Sequence, residues 1–196
     1  MNAEFAAQLS ARLNTRPTRV RAEWHARPAA VLAPLYFHED RWHLLFTQRT
    51  DNLVEHRGQV SFPGGSVDPD DKDRIETALR EAEEEIGLKR DDVEVLGVLD
   101  ELITVTQWRI TPVVGSFSYP YDFAVNLDEA ESAFGVPLQW LADPANLETQ
   151  YREPIVPGRK VAVYYFKPYV GHIIWGITAR MTLSLLQVAG LIDEME

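Results

Sequence analysis

Apolar residues four apart open the chain. Phe5, Leu9 and Leu13 fall on one helical face across residues 3–14, and the face stops before Arg16-Pro17. This predicts a small docking helix. Residues 29–37 and 42–47 are short apolar runs on either side of the polar turn His38-Glu39-Asp40-Arg41, the pattern of two paired strands. From Arg49 the periodicity disappears and charge rises until Phe62-Pro63-Gly64-Gly65 closes the stretch, which predicts a loop ending in a fixed turn. A loop of that length in a compact chain is usually functional. Helical spacing returns near Asp73 with Ile75, Leu79, Ala82 and Ile86, and stops at Gly87. Residues 93–99 and 109–117 follow as strands, and Ser118-Tyr119-Pro120-Tyr121 breaks the pattern. Val136-Pro137-Leu138 opens a short helical stretch near Trp140. A strand at 161–166 and a closing helix over about 171–189 complete the chain. This order predicts an α/β (α+β) fold, a mixed central sheet covered by helices.

Length and composition narrow the picture. With 196 residues, 45% of them hydrophobic, the chain fills one core, and with no repeat or interdomain linker visible it is expected to form one domain. The net charge of −11 argues against nucleic acid and an anionic membrane surface as partners. An anionic substrate would require metal cations. Cysteine is absent, which excludes disulfides, thiolate metal sites and a cysteine nucleophile. No basic segment followed by an apolar core opens the chain, so a cytoplasmic location is expected. The apolar stretch 172–192 contains Arg180, Gln187 and several hydroxyl residues, which suits a buried core helix rather than a membrane span.

The chemistry lies in the run Arg80-Glu81-Ala82-Glu83-Glu84-Glu85-Ile86-Gly87-Leu88. On a helix, Glu81, Glu84 and Glu85 stand at i, i+3 and i+4, so three carboxylates gather on one face. Such like-charge pairs each cost a helix a few tenths of a kcal/mol, and a bound divalent cation is a reason to keep them together. A solvated acidic face is the alternative. Three neighbouring features favour metal: Gly64-Gly65 permits close backbone approach, Arg80 has a rigid fork able to position a carboxylate, and apolar Ile75, Leu79, Ala82 and Ile86 anchor the opposite side.

These residues resemble the Nudix box, whose pattern is Gly, five residues, Glu, seven residues, then Arg-Glu-apolar-any-Glu-Glu-any-Gly-apolar. Arg80, Glu81, Ala82, Glu84, Glu85, Gly87 and Leu88 fill every specified position of the second half. The first half departs. Counted from Gly65, the glutamate position holds Asp71, and one extra residue separates it from Arg80. The resemblance implies a Nudix-like α/β/α sandwich, with the box at about residues 65–88. It also implies Mg²⁺ or Mn²⁺ held by Glu81, Glu84, Glu85 and a Gly65 carbonyl, and hydrolysis of a diphosphate linkage. In that setting Glu84 is the candidate base, with Arg80 beside it. Glu129 resembles the downstream glutamate that serves as a further ligand or base, a surface acid being the alternative.

The preceding loop resembles a second signature, that of the coenzyme A pyrophosphatase subfamily. It reads Leu45-Phe46-Thr47-Gln48-Arg49-Thr50, then Val54, Gly58 and Phe62-Pro63-Gly64-Gly65. Trp175-Gly176-Ile177-Thr178-Ala179 also looks like that subfamily. The resemblance implies substrate contacts at Arg49 and Gly64. Val54 stands where the signature has arginine, and Arg57 is a candidate to compensate; as an exposed arginine it would contribute nothing specific. The expected substrate is coenzyme A or a derivative, cleaved to 3′,5′-adenosine diphosphate and 4′-phosphopantetheine. The alternatives are another small nucleotide-derived substrate such as ADP-ribose or NADH, and a Nudix module that senses a nucleotide without cleaving it. Related enzymes are often dimers, so a homodimer is an expectation by analogy.

Overall fold

The opening apolar stripe forms α1, Asn2–Thr15, in the computed structural model, which describes residues 2–20, 25–50, 58–152 and 161–193. Leu9 and Leu13 are buried at 1% and 2% exposure, so truncating either to Ala would cost about 2–5 kcal/mol. The helix lies on β5 (Val93–Val98), where the Ser10 hydroxyl and the Asn14 amide both donate to the Leu96 carbonyl, at 3.0 and 2.9 Å.

The sheet is built around β1 (Arg27–His38). It runs parallel to β7 (Trp108–Phe117) over nine paired positions, from Arg27↔Trp108 to Leu35↔Ser116. Both strands are buried along most of their length, as expected of a parallel pair covered on both faces. The other edge of β1 is shared. Leu35–His38 pair with β2 (Arg41–Arg49) through a hairpin whose turn residues Glu39 and Asp40 adopt φ of 47° and 59°. Ala29–Val31 pair instead with β4 (Gly64–Ser66), so β2 and β4 flank a common gap. β3 (Val60–Ser61) pairs the far end of β2, and β5 and β6 (Leu102–Ile103) pair β7.

Helices cover both faces, giving the α/β/α arrangement. On one face α2 (Arg74–Ile86) packs Ala78, Ala82 and Ile86, all at 0% exposure, against Ala30, Leu32, Leu45 and Val113. On the other, α1 and α4 (Gly176–Ala189) join Leu44, Phe46, Phe62 and Val114 in a second core. α3 (Leu138–Ala142) is the short helix expected near Trp140.

Several elements depart from the sequence reading: β3 and β4 start within the stretch expected to be a loop, and β6 was not expected. β8 (Ala130–Pro137) pairs β2 from His43↔Pro137 to Arg49↔Ala130, in a segment where no strand was expected. β9 (Leu147–Arg152) pairs β10 (Val161–Phe166) as a separate two-stranded ribbon. The closing helix starts at Gly176 rather than near Gly171. Both glycines have positive φ, 86° and 62°; the bridge Tyr169↔His172 closes a tight turn through Val170-Gly171, and the bridge Tyr165↔Trp175 ties the residue before α4 to β10. Among the described residues, no helix is long and apolar enough to cross a membrane.

Candidate active site on the acidic helix

The start of α2 is fixed by Asp73, whose side chain accepts the Glu76 N–H at 2.9 Å, while the Glu76 carboxylate accepts the Lys72 N–H at 3.0 Å. The first bond satisfies a donor that a helix N-terminus leaves open, and the second ties the residue before the cap to the first turn. At the other end Gly87, at φ 69°, donates to the Glu83 carbonyl at 3.0 Å and lets the chain leave in a left-handed turn.

Arg80 organises the middle of the helix. Its Nε and Nη2 grip the two oxygens of Asp71, each at 3.0 Å. Nη1 reaches Glu81 at 2.9 Å and Glu84 at 3.0 Å, and Nη2 also donates to the Ser66 carbonyl at 3.1 Å. All five guanidinium donors are thereby used. Asp71, with only 4% of its side chain exposed, also accepts the Thr77 hydroxyl at 2.8 Å. The Arg80 hydrogen bond holds the Asp71 carboxyl well below the usual carboxylate range, and the same bond strengthens the charge on Arg80. The sequence left Asp71 without an assigned role; here it anchors the arginine that orders Glu81 and Glu84.

Glu85 is not on the solvated acidic face that stood as the alternative to metal binding. It is 4% exposed, because residues 124–129 fold back over the end of α2. The Ala124 and Asn126 N–H groups bond the Ile86 and Glu85 carbonyls at 3.0 and 2.8 Å, satisfying the helix C-terminus. The same turn delivers Glu129, whose Oε1 accepts from the Asn126 side chain at 3.2 Å. Burial pushes the Glu85 carboxyl up to about 8. The nearby charge of Arg49 and a hydrogen bond from the Gly64 N–H oppose the rise, while Glu129 and Glu81 add to it. Burial likewise raises Glu81, with Glu84 and Glu129 adding to the rise against the pull of Arg80. Glu84 and Glu129 therefore lie near enough to act on Glu81, and Arg49, Glu129 and Glu81 near enough to act on Glu85.

Arg49 ends β2 at a bulge and donates its N–H to the Gln59 carbonyl at 3.0 Å. Its Nε is buried with no hydrogen-bond partner among the described residues. Gly64 and Gly65 form the floor between β1 and α2. A Cβ on Gly65 would run into the Glu81 carboxyl group, and one on Gly64 would lie 2.5 Å from the Ala30 carbonyl oxygen. Val54 and Arg57 lie outside the described residues. The sequence reading missed Asn126 and Thr77, which hold Glu129 and Asp71; both are short polar residues beside acids, a signal too common to single out.

The donor set suits a hard divalent cation, since every candidate ligand is an oxygen. Two features fit one: a buried Glu85 carboxyl crowded by like charge, and space beside Glu81 that only glycine leaves open. Glu81 Oε1 and Glu84 Oε2 are held by Arg80, which leaves the second oxygen of each without a hydrogen bond among the described residues. Those residues contain no ready-made cluster of three metal-ligating side chains.

Fold and motif together define a Nudix protein. The NUDIX domain family model matches residues 26–167, and the chain belongs to that family, as a hydrolase of diphosphate-containing substrates. It is 40% identical over 176 residues to a protein of Pectobacterium atrosepticum named uncharacterized Nudix hydrolase NudL, with 88% of each chain covered. A protein of the same name from Yersinia enterocolitica is 39% identical, over 81% of this chain and 80% of its own. Among solved structures, the Nudix hydrolase RenU from M. smegmatis superposes with a TM-score of 0.58 at 18% identity, covering 88% of this chain and 91% of that one. A MutT/nudix family protein from Enterococcus faecalis gives 0.54 at 15% identity, covering 96% and 74%. These structural likenesses support the fold.

Proposed function

We propose that the chain is a Mg²⁺ or Mn²⁺-dependent pyrophosphohydrolase that cleaves coenzyme A or its acyl derivatives to 3′,5′-adenosine diphosphate and 4′-phosphopantetheine or its acyl form. The observation that supports the hydrolytic part is the crowding of two carboxyl groups on α2, Glu81 by Glu84 and Glu129 and Glu85 by Glu129 and Glu81, with Arg49 near Glu85 and the tight backbone of Gly65 against Glu81. Bound there, the cation neutralises the diphosphate and lowers the pKa of the attacking water. Glu81, Glu85, the Gly65 carbonyl and one oxygen of Glu84 are its candidate ligands. Glu84, with 54% of its side chain exposed, is the best placed to take the proton as water adds to phosphorus and the bridging P–O bond breaks. Glu129 is the second candidate base, and Arg80 positions both Glu81 and Glu84. Arg49 is the candidate phosphate contact.

The coenzyme A assignment rests on the signature from Leu45 to Gly65, in which Thr47 and Ser61 meet at 3.3 Å and Arg49 is presented to the acidic face. It is tested by incubating the protein with coenzyme A, NADH, ADP-ribose and 8-oxo-dGTP in Mg²⁺ and separating the products, then repeating the panel with Val54→Arg. Coenzyme A turnover that leads the panel, or that rises sharply in the variant, supports the assignment. Fast ADP-ribose or NADH cleavage with negligible coenzyme A turnover in both proteins refutes it. Saturable nucleotide binding without product at any metal concentration refutes hydrolysis itself.

A further inference from the structure

Residues 126–130 make a tight turn that joins two parts of the candidate site. On one side the Asn126 N–H donates to the Glu85 carbonyl at 2.8 Å, at the end of α2. On the other, buried Thr50 donates its N–H to the Glu129 carbonyl at 3.3 Å and its hydroxyl to the Asp128 carbonyl at 3.5 Å, and Ala130 pairs with Arg49. The turn is also closed from within, because the Asn126 carbonyl accepts the Glu129 and Ala130 N–H groups at 3.0 and 2.9 Å. The backbone around Glu129 is thereby tied both to Glu85 and to the residue after Arg49.

These bonds place the Glu129 backbone, not its carboxylate. A glutamate side chain is long and rotamer-rich, so a fixed backbone alone leaves its carboxylate free to swing. Asn126 removes that freedom: its Nδ2 donates to Glu129 Oε1 at 3.2 Å. The direction of the amide follows from its other end. Asn126 Oδ1 accepts the Asp128 N–H at 3.2 Å, a role that only the oxygen can fill, so the NH₂ group faces Glu129. One side chain thus closes the turn with its oxygen and holds the acid with its nitrogen. Glu129 Oε2 has no hydrogen bond among the described residues, and the carboxylate lies near enough to act on both Glu81 and Glu85. A neutral amide fixes the carboxylate without cancelling its charge, as an arginine or lysine in its place would.

We propose that Asn126 is a positioning residue for the hydrolytic step, holding the Glu129 carboxylate toward the candidate metal ligands Glu81 and Glu85. The inference rests on the hydrolase reading and on a part for Glu129 in it, but not on coenzyme A as the substrate.

The test is a double-mutant cycle on Asn126 and Glu129, run with the full chain in Mg²⁺ on the substrate of the panel that wild type cleaves fastest. Asn126→Asp keeps the oxygen that closes the turn and the backbone bonds to α2, but sets a carboxylate against Glu129. Asn126→Ser keeps a hydroxyl able to close the turn and loses the amide, which guards against a folding defect peculiar to the added charge. Each should lower kcat roughly ten- to hundredfold, the scale on which a misplaced group is felt, and leave KM within about twofold. In the Glu129→Gln background the same substitutions should cost less than about threefold, because the group they position is gone. A merely structural Asn126 predicts instead losses that multiply in the double variants and follow the melting temperature. The inference is overturned if the losses multiply, if activity falls only in step with folded protein, if neither Asn126 variant changes kcat, or if Glu129→Gln is as active as wild type. Each of these results leaves the hydrolase reading standing. A folded wild type that cleaves nothing in the panel overturns the hydrolase reading and this role together.

Discussion

Arg80 and Asp71 form a bidentate pair, with Nε and Nη2 each 3.0 Å from a carboxylate oxygen, and the pair sets the position of two candidate metal ligands. Asp71→Asn keeps the shape but removes the charge, leaving Arg80 partly buried without its counterion. Breaking a fully buried pair costs about 3–5 kcal/mol. Arg80 keeps 22% of its side chain exposed, so a smaller loss of about 2–3 kcal/mol is expected in chemical denaturation. Turnover should fall with it, because Arg80 no longer holds Glu81 and Glu84 in one place. A variant as stable and as active as wild type would remove Asp71 from this role.

Glu85 makes the metal assignment testable without following the reaction. Its carboxyl is 4% exposed, crowded by Glu81 and Glu129 and pushed up to about 8, so at neutral pH without metal it largely keeps its proton, and Glu85→Gln replaces it with a neutral group of like shape whose amide oxygen can still accept the Gly64 N–H. The melting temperature without metal should be unchanged or higher. Turnover should drop about a hundredfold or more, the scale on which loss of one transition-state-stabilising group is felt. Mg²⁺ should raise the melting temperature of wild type by mass action and leave that of the variant unmoved. An equal Mg²⁺ shift in both proteins would falsify the ligand role.

Local patterns carried much of this into the sequence. The stripes of α1 and α2, the hairpin around Glu39-Asp40 and the Gly87 stop are set within a few residues, where periodicity and turn chemistry act. The acidic set was legible because Glu81, Glu84 and Glu85 share one helix. What stayed hidden depends on distant pairing. β8 forms because β2 offers an open edge, and Ala130–Pro137 is not apolar enough to announce a strand. The burial of Glu85 follows from residues 124–129 folding over the helix end, a contact some forty residues away in sequence.

Asp100 fastens the chain after α1 to the sheet and gives stability an acid limb. It accepts the Arg16 guanidinium at 2.6 Å and the Arg19 N–H at 3.0 Å. Partial burial raises its carboxyl, but the Arg19 and Arg16 hydrogen bonds outweigh this and hold it below its ordinary value. A folded-state pKa below the unfolded one contributes stability that is present above the unfolded value, near 3.9, and lost as pH falls through the folded value. Asp100→Asn should therefore be less stable than wild type at neutral pH, with the gap narrowing below about pH 4. Urea denaturation across pH 7 to 2.5 measures it; a gap that stays constant or widens in acid would contradict the assignment.

Gly64 and Gly65 adjoin one another yet meet different obstacles, which separates fold from chemistry. A Cβ on Gly64 would come within 2.5 Å of the Ala30 carbonyl oxygen and 2.6 Å of Val31 Cα, both backbone atoms of the paired strand β1. Backbone cannot step aside without disturbing the register Val31↔Gly64, so Gly64→Ala should lose about 1–3 kcal/mol of stability, the range for overpacking. The nearest atoms to a Cβ on Gly65 all belong to the carboxyl end of Glu81, which can rotate away. Gly65→Ala should therefore fold nearly as well as wild type but displace Glu81 from Arg80 and from the acidic face. Its turnover and its stabilisation by Mg²⁺ should both fall sharply. Thermal melts with and without Mg²⁺, run beside product assays on the two variants, give the comparison. Full activity in a stable Gly65→Ala protein would show that the space beside Glu81 is not needed for catalysis.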